Sequence, residues 1–561
     1  MIKLLTNPKS KMNFKKIILI TILLEASSKM LLAQNKSIIL GRPTDTSITA
    51  SILFDQSVQF YLQYGTQTGV YTNTTNTINN TVNIPDEVDL HALIPDTKYF
   101  YRMQYKVSAG TFTATPEYTF HTQRAPGSTF SFTLESDEHL YDYGNTNLYK
   151  VTLANEASEN PDFMMTLGDI FGDDHHPTTI TSQTLDSLHQ AYRPLLGAIC
   201  PSVPFFDCLG NHEGEKKYYI TQTPPNNMGI YATLARKKYY PNPIPNAFYS
   251  GNDSIEQFGV GEPQDYYAFT WGSALFVILD VYRYDTYAYD TTAKPTAWNW
   301  TLGKKQYDWL KNTLQNSASQ YKFVFCHHLR AEDRGGVSVA LRNEWGGYNN
   351  QTGTTGSNYQ FTAQRPGWAM PIHQLFTTYG VNIFFQGHDH LFAHETLNNV
   401  VYQEVPMAAD STYKKGMLAN GAAYTADTLA GSGHLKVTVT PQCVTVDYVN
   451  SYLWHDTAST GPHNKNIAFS YTLGSCVTTG INNNTEQENV SIFPNPTKDN
   501  LIVKLGDDIQ HFQINIDDIL DQTVVQSFSK IIDVSSLPNG VYFVHIITEK
   551  YETNRKIIIN H

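Results

Sequence analysis

The chain has 561 residues, too many for one hydrophobic core, so three or four domains are expected. A hydrophobic content of 41% with 13% aromatic residues excludes a disordered chain. A formal net charge of −12, from 39 basic and 51 acidic residues, argues against a general nucleic-acid surface, but leaves a phosphorylated substrate open, because a bound cation would dominate the local field.

At the N-terminus, Lys15 and Lys16 precede the apolar run Ile17–Leu24, and Leu32-Ala33 leads to a cleavage point before Gln34. Residues 1–34 therefore read as an export signal, with Met12 a candidate start. The apolar run is too short to span a bilayer. Five cysteines do not make a disulfide scaffold. Cys443 with Cys476, or Cys200 with Cys208, are the candidate pairs, and Cys326 reads as a small buried strand residue.

Residues 35–124 read as all-β. Ile48, Ala50 and Ile52 alternate with polar residues, as do Tyr99, Tyr101, Met103 and Tyr105. The stretch Leu93–Tyr99 followed by Tyr101-Arg102 resembles the corner of a fibronectin type III-like sandwich, where a tyrosine hydroxyl ties a loop to the next strand. With no concentration of histidine and carboxylate, this segment is expected to be a spacer or docking module. Arg124-Ala125-Pro126-Gly127 marks its end.

From 128 to 475 the pattern becomes strand, loop, helix, strand. Apolar runs at Phe130–Leu134, Phe163–Leu167, Pro204–Leu209, Tyr321–Cys326 and Val381–Phe385 predict strands. Leu148–Ser158, Thr184–Leu196, Lys304–Leu314 and Met370–Tyr379 predict helices between them. The alternation argues for an α/β sandwich with substantial sheet. The Tyr-, Asn- and Pro-rich stretch Glu215–Thr301, with one strand-like run at Ala274–Leu279, is long for a connection and is expected to form a lid or substrate-facing insertion.

Each of the five main runs ends in a metal-binding group. The segments are Ser136-Asp137-Glu138-His139, Gly168-Asp169, Gly210-Asn211-His212-Glu213, His327-His328 and Gly387-His388-Asp389-His390. All fall at the C-terminal ends of strands, where open α/β sheets place their sites. Two cations roughly 3.5–4 Å apart clamp a phosphoryl group and lower the pKa of a shared water. Such a pair needs a bridging carboxylate, imidazoles and oxygen donors, which suit iron, zinc or manganese.

Taken in order, the five segments resemble the calcineurin-like metallophosphoesterase superfamily, which includes the purple acid phosphatases. Those enzymes often carry a fibronectin-like domain before the catalytic one. The resemblance implies an α/β/β/α sandwich and a role for each residue. Asp137 and His139 would bind the first metal, Asp169 would bridge, and Asn211 would donate oxygen to the second. His327 and His388 would complete the ligand set of the second metal, and His390 that of the first. His212 would contact the phosphate and protonate the leaving oxygen, while a metal-bridged hydroxide attacks phosphorus.

Purple acid phosphatases usually carry Asp-x-Gly at the first segment and a ligand tyrosine three residues after the bridge. Here those positions are His139 and Gly172, one ligand replacing another, so no tyrosinate colour is expected. Between His327 and His328 the resemblance favours His327. Glu213 is expected to orient a neighbour, Arg330 and Arg334 are candidates for a phosphate contact, and Asp173-Asp174-His175-His176 reads as a solvated loop. The expected activity is a secreted phosphomonoesterase acting on a phosphorylated small molecule. A phosphodiesterase on nucleotides or lipid head groups is the alternative. A non-catalytic surface binding protein would show a lost ligand position, and none is lost.

Residues 476–489 form a polar linker. Beyond it, Phe493-Pro494-Asn495-Pro496, Leu537-Pro538-Asn539-Gly540-Val541-Tyr542 and the ending Arg555–Ile559 resemble the type IX secretion C-terminal sorting domain, a small β-sandwich. The resemblance implies residues 490–561 as that domain and the type IX machinery as partner. It also implies a product released from, or attached to, the surface of a Gram-negative bacterium.

Overall fold

The computed structural model describes residues 36–561 apart from 108–109, 142, 172–178, 287–297, 330–333, 350–358, 416–422, 425–426, 458–462, 477–489, 506–508, 510, 519–522 and 549–551. The export signal, Gly172, the Asp173–His176 loop, Arg330 and most of the linker lie outside the described residues.

Residues 36–121 fold as two β-sheets. One pairs Lys36–Gly41, Ile48–Phe54 and Asp86–Leu90, and the other is built around Val58–Gly65 and Lys98–Val107. Alternate residues such as Ile52, Phe60, Leu62, Tyr101 and Met103 fill the space between them, as the two-residue period of a strand requires. At the corner the Ile94 N–H donates to the Tyr99 hydroxyl at 2.8 Å. The Tyr101 hydroxyl instead donates to the Pro201 carbonyl at 2.6 Å, and buried Arg193 donates to the Ser51 carbonyl at 2.7 Å. This module is thus tied by buried hydrogen bonds to the domain that follows.

That domain is an α/β/β/α sandwich. A six-stranded sheet has the order Phe205–Asp207, Phe163–Thr166, Phe130–Glu135, Gly433–Val439, Cys443–Asn450, Ile467–Gly474. Its first three strands are parallel. The second sheet has eight strands, with Ala274–Ile278, Tyr321–Phe325, Ile383–Gln386 and Val400–Glu404 parallel at its centre. Inward residues of both sheets form one aromatic core, including Phe132, Phe163, Phe276, Phe323, Phe325 and Phe385. The opposite faces are also buried. Met164 and Phe205 pack with Tyr149 and Leu153 of the helix Thr146–Ser158. Val277, Val324 and Phe384 pack with Leu310 of Gly303–Asn316 and Leu375 of Ile372–Tyr379. Strands buried on both faces explain the continuous apolar runs.

The stretch Glu215–Thr301 departs from the expected lid. Among its described residues are the helix Met228–Tyr239 and the hairpin of Tyr267–Trp271 with Ala274–Ile278, which extends the second sheet. Tyr267, Phe269 and Trp271 belong to the central core. The tyrosine hydroxyls find partners inside, as at Tyr267 and the Asp207 carbonyl, 2.9 Å apart, so a Tyr-rich segment can be core rather than surface.

Residues 491–561 form a separate unit with a three-stranded sheet (Ser491–Phe493, Asn500–Lys504, Ile531–Asp533) and a four-stranded one (Thr523–Ser527, Phe512–Asp517, Gly540–Thr548, Glu552–Ile559). Its core includes Leu501, Ile514, Val544 and Ile557. Cys443 and Cys476 are disulfide-bonded, while Cys200, Cys208 and Cys326 are buried free thiols, so the alternative Cys200–Cys208 pair does not form.

Candidate metal centre

Every segment singled out in the sequence leaves a parallel strand at its C-terminal end. Immediately after the strands the backbone turns sharply. Asp137 (φ 55°), His139 (φ 44°), Asp169 (φ 59°), His388 (φ 75°) and His390 (φ 53°) all adopt left-handed conformations without being glycine. Each such residue costs on the order of 1–2 kcal/mol, and this strain gathers at one point. The effect is to aim side chains two residues apart at a common centre. Gly168 (φ 93°) lets two of these loops approach closely, since a Cβ there would lie 2.3 Å from the Gly210 nitrogen.

Among the described residues, ligand atoms converge in three groups. Asp137, His139 and His390 form one, Asp169, His327 and His388 a second, and His139, Asp169 and His212 a third that links them. In the first, His139 Nε2 faces His390 Nε2 at 3.2 Å, and His390 Nε2 lies 3.3 Å from Asp137 Oδ1. In the second, His327 Nε2 lies 3.1 Å from Asp169 Oδ2 and 3.1 Å from Asn211 Oδ1. The groups adjoin: His139 Nε2 is 3.8 Å from Asp169 Oδ2, and His327 Nε2 is 3.8 Å from Asp137 Oδ1. His212 belongs to the third group, its ring 5.2 Å from that of His139 and its backbone N–H donating to Asp169 Oδ1 at 2.7 Å. Its side chain is 24% exposed, against 1% for His139 and 3% for His390. His328 packs its ring 4.9 Å from His388 and is in none of these ligand groups.

The chemistry of the donors fits cations. Among the described residues Asp137 Oδ1 is buried with no hydrogen-bond partner, although buried carboxylate oxygens are normally satisfied. The facing Nε2 atoms of His139 and His390 share a proton or turn together to a common cation. His327 anchors Nδ1 on the Leu167 carbonyl at 2.9 Å, which turns Nε2 toward the centre. Burial opposes charge throughout, yet His327 and His212 hold the Asp169 carboxyl well below the usual range. Burial likewise resists a charged His327, but Asp169 and Asp137 push it up to about 9. For His139 burial wins and lowers it to about 4.

The surrounding hydrogen bonds fix the loops. Glu213 accepts the N–H groups of Asp169 (3.0 Å), Ile170 (2.9 Å) and Gly210, which locks two ligand loops together. Ser136 Oγ donates to Asp137 Oδ2 at 2.6 Å, and the His388 N–H reaches the same oxygen at 2.8 Å. Arg334 Nη1 binds the His388 carbonyl (2.7 Å) and Asp389 Oδ1 (3.1 Å), so it braces the last loop. Glu404 and Tyr424 complete that brace. The Asp389 N–H donates to Glu404 Oε1 at 2.9 Å, and the Tyr424 hydroxyl bridges Asp389 and Glu404. Sequence reasoning missed both. Glu404 ends an apolar strand just as the ligands do, a signal that was available; Tyr424 carries none.

Residues 130–392 match the family model for calcineurin-like phosphoesterases. The chain carries a calcineurin-like phosphoesterase domain. It is accordingly a metal-dependent phosphoester hydrolase. Residues 491–560 match the secretion system C-terminal sorting domain, which marks the phosphoesterase for type IX secretion to the exterior or the cell surface. Among solved structures it is similar to PhoD, at 17% identity and a TM-score of 0.54 over 78% of this chain and 90% of that one. It is similar also to the purple acid phosphatase PPD1 from yellow lupin (Lupinus luteus) seeds, at 15% identity and a TM-score of 0.50 over 79% and 74%. At these identities the likeness is one of fold. No curated protein sequence matches the chain.

Proposed function

We propose that the chain hydrolyses phosphate monoesters outside a Gram-negative cell, with two cations of the iron, zinc or manganese type. Asp137, His139 and His390 would hold one, Asn211, His327 and His388 the other, and Asp169 both. Bound there, the cations would supply charge for the phosphoryl oxygens and acidify a water. The chain supplies the rest. Glu213 and the Asp389–Glu404–Tyr424 brace hold the ligand loops in a strained geometry, so little reorganisation is left for the reaction. His212 delivers the proton to the leaving oxygen.

The observation that carries this reading is the contrast between His212 and the other imidazoles. It is tied through its backbone to Asp169, yet its ring opens to solvent where a substrate can reach it. The buried imidazoles are placed to hold ions, and the exposed one to exchange a proton. The test is hydrolysis of p-nitrophenyl phosphate against bis-p-nitrophenyl phosphate, with iron, zinc and manganese supplied in turn and His212→Ala alongside. Monoester preference, with turnover falling roughly 10²–10⁴-fold in the variant, supports the proposal. Diester preference would replace the monoesterase by a diesterase, and an unaffected variant would remove His212 as the acid.

A further inference from the structure

Two tyrosines border imidazoles of the metal centre, and they differ in exposure. The Tyr282 ring lies 6.1 Å from that of His327 and the residue is 1% exposed. The Tyr143 ring lies 6.0 Å from that of His139, edge to face, and the residue is 49% exposed. Tyr282 is thus covered by the protein, whereas Tyr143 stands at the rim, next to a buried ligand yet open to solvent. His139 adjoins the proposed acid as well. Ligand atoms of His139, Asp169 and His212 all lie within 4.8 Å of one another. One buried imidazole therefore has two solvent-open rings as neighbours, His212 and Tyr143.

The backbone that carries Tyr143 is anchored. Its N–H and that of Gly144 both donate to the His139 carbonyl, at 3.1 and 2.8 Å, so the turn closes on the ligand itself. Glycine is required at 144, because a Cβ there would collide with the Glu138 carbonyl oxygen. The Asn145 N–H then donates to the Ala409 carbonyl at 2.9 Å. The Asn145 side chain accepts from the N–H groups of Asn147 and Leu148 and caps the helix Thr146–Ser158. A tyrosine has only two side-chain torsions, so on an anchored turn it loses little entropy when a ligand meets it.

We infer that Tyr143 determines specificity: its ring covers the alcohol portion of the substrate, and that portion is aromatic. The inference rests on the phosphoesterase reading and names the substrate class of the same site, phosphate monoesters whose alcohol carries a flat ring close to the ester oxygen. With the phosphoryl group among the ligands and the leaving oxygen toward His212, the alcohol extends outward beside His139, where Tyr143 stands. The face and edge of a phenol ring attract a second aromatic ring beyond the area they cover. Deleting a ring on which a base stacks weakens binding about fivefold to a hundredfold.

The experiment measures kcat/KM for benzyl phosphate and ethyl phosphate in the metal-loaded protein, in Tyr143→Ala and in Tyr143→Phe. Both alcohols are poor leaving groups of similar basicity, so the ratio reads contact with the ring. Calorimetric binding of benzylphosphonate against ethylphosphonate, which are not hydrolysed, reads the same contact without turnover. The expected result is a benzyl preference of tenfold or more that falls at least fivefold in Tyr143→Ala and stays within twofold of wild type in Tyr143→Phe. The phosphonates follow the same pattern, and metal content is unchanged. Equal values for both esters in wild type, or a benzyl preference that survives Tyr143→Ala, overturns the inference and leaves the phosphoesterase reading intact. A preference lost as fully in Tyr143→Phe assigns the contact to the hydroxyl and overturns it too. Metal lost from Tyr143→Ala makes the ring a prop for His139 and overturns it likewise. Turnover of neither ester with metals bound overturns the phosphoesterase reading and this inference with it.

Discussion

Replacing Glu213 by glutamine removes one acceptor from a carboxylate that serves three backbone donors. Oε2 accepts from Asp169 and Gly210, and Oε1 accepts from Ile170 at 2.9 Å. A glutamine must turn its NH₂ toward one of these two sets. The better orientation keeps the carbonyl on the shared side and leaves only the Ile170 N–H facing another donor. A buried donor without a partner costs about 1–3 kcal/mol. For a chain of this size, with an unfolding entropy of about 2.1 cal/mol/K per residue, that lowers the thermal midpoint by roughly 1–3 °C. Glu213→Ala strands all three donors, up to about 9 kcal/mol before relaxation. Because these donors belong to the loops carrying Asp169 and Asn211, turnover falls with stability. Thermal unfolding and p-nitrophenyl phosphate hydrolysis on the same samples read both. A glutamine variant within about 0.5 kcal/mol of wild type, or an alanine variant no worse than glutamine, would refute the argument that Glu213 acts through these bonds.

Two further outcomes concern stability alone. His189 is fully buried, its ring 5.2 Å from that of Tyr239, and burial with Arg193 and Lys238 nearby lowers its pKa from 6.5 to about 3. The unfolded chain takes up a proton near pH 6.5 that the folded chain refuses. Stability is therefore full above that pH and falls as pH drops toward about 3. By pH 4.5 the loss is about 3 kcal/mol at 1.36 kcal/mol per unit, and denaturation midpoints for His189→Phe should show a shallower decline. Tyr101→Phe leaves the Pro201 carbonyl without its 2.6 Å donor. It should cost about 1–3 kcal/mol in urea unfolding, and no measurable change would show that this bond does not fasten the N-terminal module.

The ends of the central strands were legible because apolar runs such as Phe130–Leu134 and Val381–Phe385 stop abruptly at residues suited to metal ions. The helices between them were legible by period, to within two residues at their N-terminal ends, as at Ser182–Leu196 and Ile372–Tyr379. What was hidden is three-dimensional. Nothing in the identity of Asp137 or His390 announces a left-handed backbone, since the turn is imposed by the surrounding hydrogen bonds. The Tyr-rich stretch after Glu215 reads as surface by composition, yet Tyr267 and Trp271 lie in the core because the Tyr267 hydroxyl is satisfied internally at Asp207. Arg334 read as a phosphate contact because an arginine near a histidine pair suits one. The structure gives its Nη1 to the His388–Asp389 loop, a partner more than fifty residues away in sequence.

These buried side chains are proposed to hold two cations that the reaction requires. The most direct measurement is metal content per chain, determined together with monoester hydrolysis, for wild type and Asp169→Asn. Two equivalents bound and turnover are expected in wild type, with reduced metal content and turnover abolished in a variant that still folds. A wild-type protein that binds no metal, or an Asp169→Asn variant that retains full turnover, would contradict that proposal.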